Sequence, residues 1–203
     1  MNFGLLRVLN DDVVSGGQGF GQHPHENMEI ISIPLSGDLK HEDSMGNKTV
    51  IREGEIQVMS AGTGIFHSEY NANKEQAVEF LQIWIFPRSQ DIPPRYDQTE
   101  LNDLHLANKL HQVLSPNPSD QGVWIHQDAW FHIGTFNEGI ETVYPIKKEG
   151  NGIYAFVLEG SFDINGQRLE KRDALGIWET LELSIHSLDL NSRLLLIDVP
   201  MAF

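Results

Sequence analysis

The chain has 203 residues, 40% of them hydrophobic, which is enough for one large domain or two smaller ones with their own cores. Its 29 acidic residues outnumber 14 basic ones, and the net charge of −15 argues against direct binding to nucleic acids or anionic membranes. Cysteine is absent, no apolar run is long enough to span a bilayer, and the N-terminus lacks the pattern of a signal peptide. We therefore expect a cytoplasmic protein without disulfides or thiolate ligands.

Short β-strands are predicted along most of the chain. Apolar or alternating runs bounded by Gly, Asn, Asp and Pro occur at 28–35, 55–59, 78–86, 152–158 and 193–199. The pair Asn165-Gly166 predicts a hairpin turn. Helix signals are sparse, and only the range 101–114 is expected to hold one short helix. This pattern is typical of an all-β barrel or sandwich.

A weak internal repeat divides the chain in two. Residues 35–39 (LSGDL) resemble residues 158–162 (LEGSF), and a proline-rich stretch lies between them. We expect an N-terminal domain over 1–100, a linker over 101–118 and a C-terminal domain over 119–203. When the two glycines of the repeat are aligned, His23 and His25 fall on Ile146 and Lys148, so the second domain is expected to lack metal ligands.

Four side chains of the first domain are spaced to hold one metal ion. His23 and His25 are separated by a single residue, and so are His67 and Glu69. Side chains at i and i+2 of a strand share a face, so two neighbouring strands would direct three imidazoles and one carboxylate at one point. These donors suit Fe(II) first, and also Mn, Ni, Cu, Co or Zn. The lack of sulfur donors argues against a closed structural zinc site.

Glu29 is an alternative carboxylate ligand. It follows His25 by four residues, so it shares strand parity with that histidine and would face the same side. The remaining histidines are expected to be ordinary hydrogen-bonded or surface residues; they are His41, His105, His111, His126, His132 and His186.

The first domain resembles the cupin family. Its first cupin motif combines Gly17, the two histidines, Glu29 and Gly37, and its second combines Gly54, Gly62-Thr63-Gly64, His67 and Asn71. Within the cupins, the chain is most similar to pirin-like proteins. The segments that carry this similarity are 6–12 (LRVLNDD), 19–25 (GFGQHPH), 41–47 (HEDSMGN), 59–64 (MSAGTG) and 67–71 (HSEYN).

This resemblance implies a bicupin, with two all-β jelly-roll (double-stranded β-helix) barrels in tandem and the metal in the first. It maps the ligands to His23, His25, His67 and Glu69, and leaves Glu29 to support them from outside the coordination sphere. Pirin-like chains carry further residues before the segment that matches 2–4. The first barrel is therefore expected to be incomplete at its N-terminus, and an unpaired strand edge would lower stability or favour a homodimer.

Some pirin-like proteins are quercetin 2,3-dioxygenases, which use O₂ to open the heterocyclic ring of a flavonol and release CO. The resemblance thus implies an oxidoreductase in which Glu69 is catalytic and accepts the proton of the flavonol 3-hydroxyl. The pocket wall is expected to include Phe20, Met28, Phe66 and Trp84. One alternative is a non-catalytic, redox-sensing regulator that binds a protein partner, as animal pirins are described. Another is a different small-molecule reaction, since one fold hosts many chemistries.

Overall fold

The structure, a computed structural model, describes residues 2–101 and 107–202, and every regular element in these two ranges is a β-strand. None of the described residues forms a helix that could cross a membrane. The described residues group into two compact units. The first unit comprises residue 2, residues 6–101 and residues 117–127; the second comprises residues 3–5, 107–116 and 128–202.

The first unit contains two antiparallel sheets. Its strands are β1 (Leu6–Val14), β2 (Gly19–His25), β3 (Glu29–Ser36), β4 (Leu39–Asp43), β5 (Lys48–Ile51), β6 (Glu55–Ser60), β7 (Ile65–Asn71), β8 (Val78–Ile85) and β9 (Arg95–Glu100). One sheet has the order β1-β8-β3-β6-β9 and the other has the order β2-β7-β4-β5.

The second unit repeats this design. Its strands are β10 (Lys109–Ser115), β12 (Trp130–Phe136), β13 (Glu141–Pro145), β14 (Asn151–Glu159), β15 (Phe162–Ile164), β16 (Gln167–Leu169), β17 (Ala174–Ile177), β18 (Glu182–Ser187) and β19 (Ser192–Pro200). The short β11 (Val123–Trp124), between β10 and β12 in the chain, belongs to the first unit. The order β12-β19-β14-β17 reproduces β1-β8-β3-β6, and β13-β18-β15-β16 reproduces β2-β7-β4-β5. The weak sequence repeat therefore corresponds to two barrels of one topology.

The two barrels differ in what fills them. The first barrel contains two small apolar clusters. One consists of Ile30, Met59, Ala61 and Ile65, and the other of Leu39, Ile51, Val78 and Phe80. Buried polar side chains lie at intermediate strand positions, such as Gln82 on β8 between Phe80 and Trp84. In the second, one cluster of buried residues includes Ile153, Ala155, Val157, Phe162, Ile164, Leu183, Ile185, Leu194 and Leu196.

The all-β prediction is confirmed, and the five predicted strand ranges correspond to β3, β6, β8, β14 and β19. The Asn165-Gly166 hairpin turn is also present, with positive φ angles of 50° and 79°. The helix expected within 101–114 is wrong over its last residues, because β10 begins at Lys109 and pairs with β12. Sheet pairing, with Leu110 packed on the apolar cluster, overrides a weak local preference there. Residues 102–106 lie outside the described residues.

Candidate metal centre

Strands β2 and β7 bring the predicted histidines together. They pair antiparallel, with His23 opposite His67 and His25 opposite Ile65. Along β7 the buried and exposed side chains alternate, so His67 and Glu69 both face the interior. One ring nitrogen from each of the three histidines lies within 4.8 Å of the others. The i, i+2 spacing thus brings the three histidines together, whereas Glu69, the fourth predicted ligand, is not part of this group.

Glu69 belongs to a second group that shares His67. Donor atoms of His41, His67 and Glu69 also lie within 4.8 Å of one another, and all three residues are buried. His41 faces Glu69 directly across β4 and β7. His41, expected from the sequence to be an ordinary hydrogen-bonded or surface residue, therefore lies next to the predicted ligands. The alternation of His41 and Asp43 on one strand was the signal that could have linked it to the cluster.

The histidine nitrogens are suited to bind a cation. His23 donates its Nδ1–H to the carbonyl oxygen of Gly21 at 2.7 Å, so Nε2 is the ring nitrogen that can be offered to a cation. Among the described residues, neither His25 Nε2 nor either ring nitrogen of His67 has a hydrogen-bond partner. Buried nitrogens in this state normally have a ligand or ordered water beside them, so the donor set fits a metal ion.

Burial keeps two of these imidazoles neutral. It lowers the pKa of His25 to about 4 and the pKa of His67 to about 3, and the neighbouring histidines add to both shifts. Metal binding requires neutral imidazole. At neutral pH no proton has to be displaced from His25 or His67 before an ion binds.

The Glu69 carboxylate is 1% exposed and is held from two sides. Ser32 donates its hydroxyl to Oε1 at 3.1 Å, and Gln82 donates its amide to Oε2 at 2.5 Å. Burial raises the pKa of Glu69, and these two hydrogen bonds oppose that increase. Glu69 is therefore a carboxylate whose orientation is fixed and whose proton affinity is increased.

A cleft of about 220 Å³ opens onto the cluster. It is lined by Asn10, Asp12, Phe20, His23, His25, Glu69, Gln82 and Trp84. Two of the four predicted wall residues, Phe20 and Trp84, are therefore in place. Met28 instead packs on the apolar cluster of Ile30, and Phe66 lines a separate cavity on the other face of β7.

The expectation that Glu29 supports the ligands is wrong. Glu29 is fully buried and accepts a 2.8 Å hydrogen bond from Ser60. Its neighbour Ile30 packs with Trp84 toward the barrel interior, so the Glu29 side chain points to the opposite face of the sheet. Glu29 does not share a face with His25, because the chain turns between β2 and β3, where Asn27 has a φ of 48°.

The other histidines have local roles. The His41 ring lies 3.3 Å from the Asp43 carboxylate, and His132 lies 3.3 Å from the Tyr144 hydroxyl. His126 packs its ring edge-on against Trp124. His111 is buried on β10, His186 is partly buried on β18, and His105 lies outside the described residues.

The second barrel carries other side chains at the equivalent positions. Equivalent positions in the two barrels can be found from the strand registers when Gly37 is aligned with Gly160. Ser32 then corresponds to Ala155, Glu69 to Ile185, Gln82 to Leu196, and Trp84 to Asp198. On the first strand of the smaller sheet, Tyr144 lies opposite Leu183, where the first barrel has His23 opposite His67. The ladder places Tyr144, rather than Ile146, at the position of His23. The aligned side chains on β18, Leu183 and Ile185, provide no donor for a cation.

Comparisons with known proteins match both halves of the chain. The Pirin family model matches residues 2–85, and a model described as the quercetinase C-terminal cupin domain matches residues 112–199. A quercetin 2,3-dioxygenase of Escherichia coli K12 is 42% identical over 200 residues, which is 98% of this chain and 84% of that protein. A pirin-like protein of Caulobacter vibrioides is 36% identical over 199 residues, with the same coverage of 98% and 84%.

Solved structures give the same result. The crystal structure of YhhW from E. coli has a TM-score of 0.92 and 41% identity, covering 98% of this chain and 83% of that one. A crystal structure of the bacterial pirin YhhW in complex with nickel(II) has a TM-score of 0.91 and 40% identity, covering 98% and 84%. With identity this high over nearly the whole chain, the two barrels are cupin domains and the protein belongs to the pirin family.

Proposed function

We propose that this chain is a quercetin 2,3-dioxygenase-type oxidoreductase that uses one divalent metal ion held by His23, His25, His67 and Glu69. The observation that carries the proposal is a cluster of three histidines beside a buried carboxylate in a cleft, in which His25 Nε2 and both ring nitrogens of His67 have no hydrogen-bond partner among the described residues. The relative in E. coli that bears this activity in its name supports the substrate class, a flavonol with O₂.

The donor set does not select one ion. Three imidazoles and a carboxylate suit Fe(II), our first expectation, and other divalent transition metals. A pirin relative in E. coli has been crystallised with nickel(II), so Ni(II) is an alternative to Fe(II) for this site. When bound, the ion would act as a Lewis acid that lowers the pKa of a nearby hydroxyl group.

Glu69 is the group that would accept the proton. It is one of the residues that line the cleft, so a substrate hydroxyl bound in the cleft would lie beside this residue. Burial raises its pKa, which strengthens it as a base, and Ser32 and Gln82 keep its oxygens oriented. In the overall reaction both atoms of O₂ enter the products and one ring carbon leaves as CO.

Phe20 and Trp84 would contact the planar substrate. Both line the cleft, and Phe20 is 42% exposed, so its ring is accessible to a ligand from solvent. Aromatic side chains are common in sites for flat, apolar ligands. Asn10 and Asp12 line the same cleft and can accept hydrogen bonds from phenolic hydroxyls.

A second candidate function is a metal-dependent regulator that binds a protein partner. Phe66 and Tyr70 are exposed on the outer face of β7, the strand whose inner face carries His67 and Glu69. A protein partner that contacts these two exposed aromatic side chains would bind the same strand that carries two of the proposed metal ligands, so its binding could respond to the oxidation state of the metal. This role requires metal binding but no flavonol turnover.

The test is consumption of quercetin and O₂, with release of CO, by protein loaded anaerobically with Fe(II), Ni(II), Mn(II), Co(II), Cu(II) or Zn(II). We expect metal-dependent turnover that is lost in His23→Ala and Glu69→Ala. His186→Ala, a partly buried histidine on β18 of the second barrel, is the matched control and should keep full activity. Tight metal binding without turnover for every ion would favour the regulator.

A further inference from the structure

We infer that Gln82 and Trp84 are positioning residues, which together aim the Glu69 carboxylate at the metal ion. The inference rests on the proposed role of Glu69 as a ligand and base. It assigns the orientation of this ligand to a defined chain of hydrogen bonds that begins on the far side of the cleft.

The first link joins Gln82 to Glu69. The Gln82 amide nitrogen lies 2.5 Å from Oε2 of Glu69, the shorter of the two hydrogen bonds that this carboxylate accepts from side chains. Glu69 is 1% exposed, so bulk water does not compete for its oxygens. The direction of the carboxylate therefore depends on the donors that surround it.

The second link fixes the Gln82 amide itself. Trp84 donates its indole N–H to Oε1 of Gln82 at 3.1 Å. An indole nitrogen is only a donor, so the oxygen of the amide must face Trp84 and the NH₂ group must face Glu69. Without the indole, the amide would lose the contact that decides which of its ends faces the carboxylate.

Trp84 also contacts a proposed ligand on the other strand. Its ring packs against the His25 ring with 4.8 Å between centroids and an interplanar angle of 80°. One side chain thus touches His25 on β2 and, through Gln82, determines the position of Glu69 on β7. Trp84 and Gln82 lie on β8, which is paired on both sides by β1 and β3, so their backbone is held rigidly.

The second barrel supplies an internal comparison. The positions equivalent to Glu69, Gln82 and Trp84 carry Ile185, Leu196 and Asp198. The ligand and both members of the hydrogen-bonded chain are replaced together, although the strand order is the same. This joint replacement is expected if Gln82 and Trp84 serve Glu69.

The experiment measures Co(II) binding to the full chain by calorimetry, together with the visible absorption spectrum of the bound Co(II). Gln82→Leu removes the donor at similar size, and Trp84→Phe keeps a ring beside His25 while removing the N–H. Gln57→Leu is the matched control, because Gln57 is also buried in the first unit and neither of its amide atoms has a hydrogen-bond partner among the described residues.

For Gln82→Leu we expect binding about 10–100-fold weaker than wild type and an altered Co(II) spectrum, as is usual when a group supporting a metal ligand is removed. Trp84→Phe should change both readouts in the same direction by a smaller amount, and it tests the inference even if Gln82→Leu fails to fold. Gln57→Leu should keep the wild-type spectrum and affinity.

Two failures are distinguishable. If Glu69→Ala weakens Co(II) binding but Gln82→Leu and Trp84→Phe match Gln57→Leu in affinity and spectrum, the positioning role is overturned and the proposed metal site stands. If wild type does not bind Co(II), or Glu69→Ala binds it unchanged, the proposed function is overturned and the inference with it.

Discussion

The hydroxyl of Ser60 donates a 2.8 Å hydrogen bond to Glu29, and this pair lies on the sheet face opposite the histidine cluster. Burial raises the pKa of Glu29 to about 7, although the hydrogen bonds from Ser60 and from the backbone N–H of His126 and the charge of Arg95 oppose the shift. Among the described residues, Glu29 Oε1 has no hydrogen-bond partner. The folded protein therefore binds a proton on this carboxyl group more tightly than the unfolded chain does.

We predict that Glu29→Gln stabilises the protein at pH 8. A carboxyl group whose pKa is higher in the folded state stabilises the fold at low pH, and this contribution is lost as pH rises from its ordinary value of 4.5 through about 7. The gain in unfolding free energy at pH 8 should be at most about 3 kcal/mol, and it should disappear near pH 4.5. Urea denaturation at both pH values measures it, with the exposed Glu141→Gln as control. An equal change at both pH values would contradict the prediction.

We predict that Gly19→Ala disrupts the metal centre, whereas Gly21→Ala does not. A Cβ at Gly19 would lie 2.2 Å from the backbone oxygen of Glu69 and 2.6 Å from the Cα of Tyr70, so β2 and β7 would have to separate. At Gly21 the nearest atom is the Tyr70 hydroxyl at 3.8 Å. We expect Gly19→Ala to lose about 1–3 kcal/mol of stability and most Co(II) binding. Calorimetry and thermal unfolding measure both, and similar results for the two variants would refute this account.

His41 should support metal binding without being essential to it. Its ring packs 5.3 Å from the His67 ring and lies within hydrogen-bond distance of Asp43. Removing it leaves a cavity beside a proposed ligand, so His41→Ala should weaken Co(II) binding by about tenfold. His23→Ala should abolish binding under the same conditions. Complete loss in His41→Ala would instead make His41 a ligand, in the group that it forms with His67 and Glu69.

Asp198 should be important for stability alone. It is fully buried in the second barrel and accepts hydrogen bonds from the Lys147 backbone at 2.8 Å, Asn151 at 2.6 Å and Tyr144 at 3.2 Å. Asp198→Ala would leave these donors unpaired and should cost about 3 kcal/mol. Urea denaturation measures the loss. Co(II) affinity of the folded variant should equal that of wild type, and a drop in affinity would contradict the assignment.

The sequence was sufficient to predict the strands that obey simple periodicity and the clustering of the three histidines. Apolar runs bounded by turn residues correspond to strands such as β3 and β8, and the i, i+2 spacing is what brings His23 and His25 to one face. The predicted orientation of Glu29 was wrong, because the alternation of side chains along β2 does not continue into β3 past the turn at Asn27. Prediction also failed at β10, where pairing with β12 decides the conformation.

The supporting residues were harder to predict for a physical reason. A single glutamine such as Gln82 has no local signature, since its role depends on Glu69, thirteen residues away on another sheet. Trp84 was recognised as an aromatic wall residue, but the partner of its N–H could not be known without the register of β8. His41 did carry a signal, its spacing from Asp43, which an ordinary hydrogen-bonded histidine also explains.

The contrast between the two barrels implies a trade-off between stability and function: the first barrel buries polar side chains at positions where the second buries apolar ones. Where the first barrel buries Ser32, Glu69 and Gln82, the second buries Ala155, Ile185 and Leu196 on the same strand order. Buried polar groups cost free energy unless every one is satisfied, and apolar side chains carry no such demand. Among the described residues, the first barrel keeps histidine nitrogens without hydrogen-bond partners in its interior, so binding of the proposed ion would add stability to this barrel.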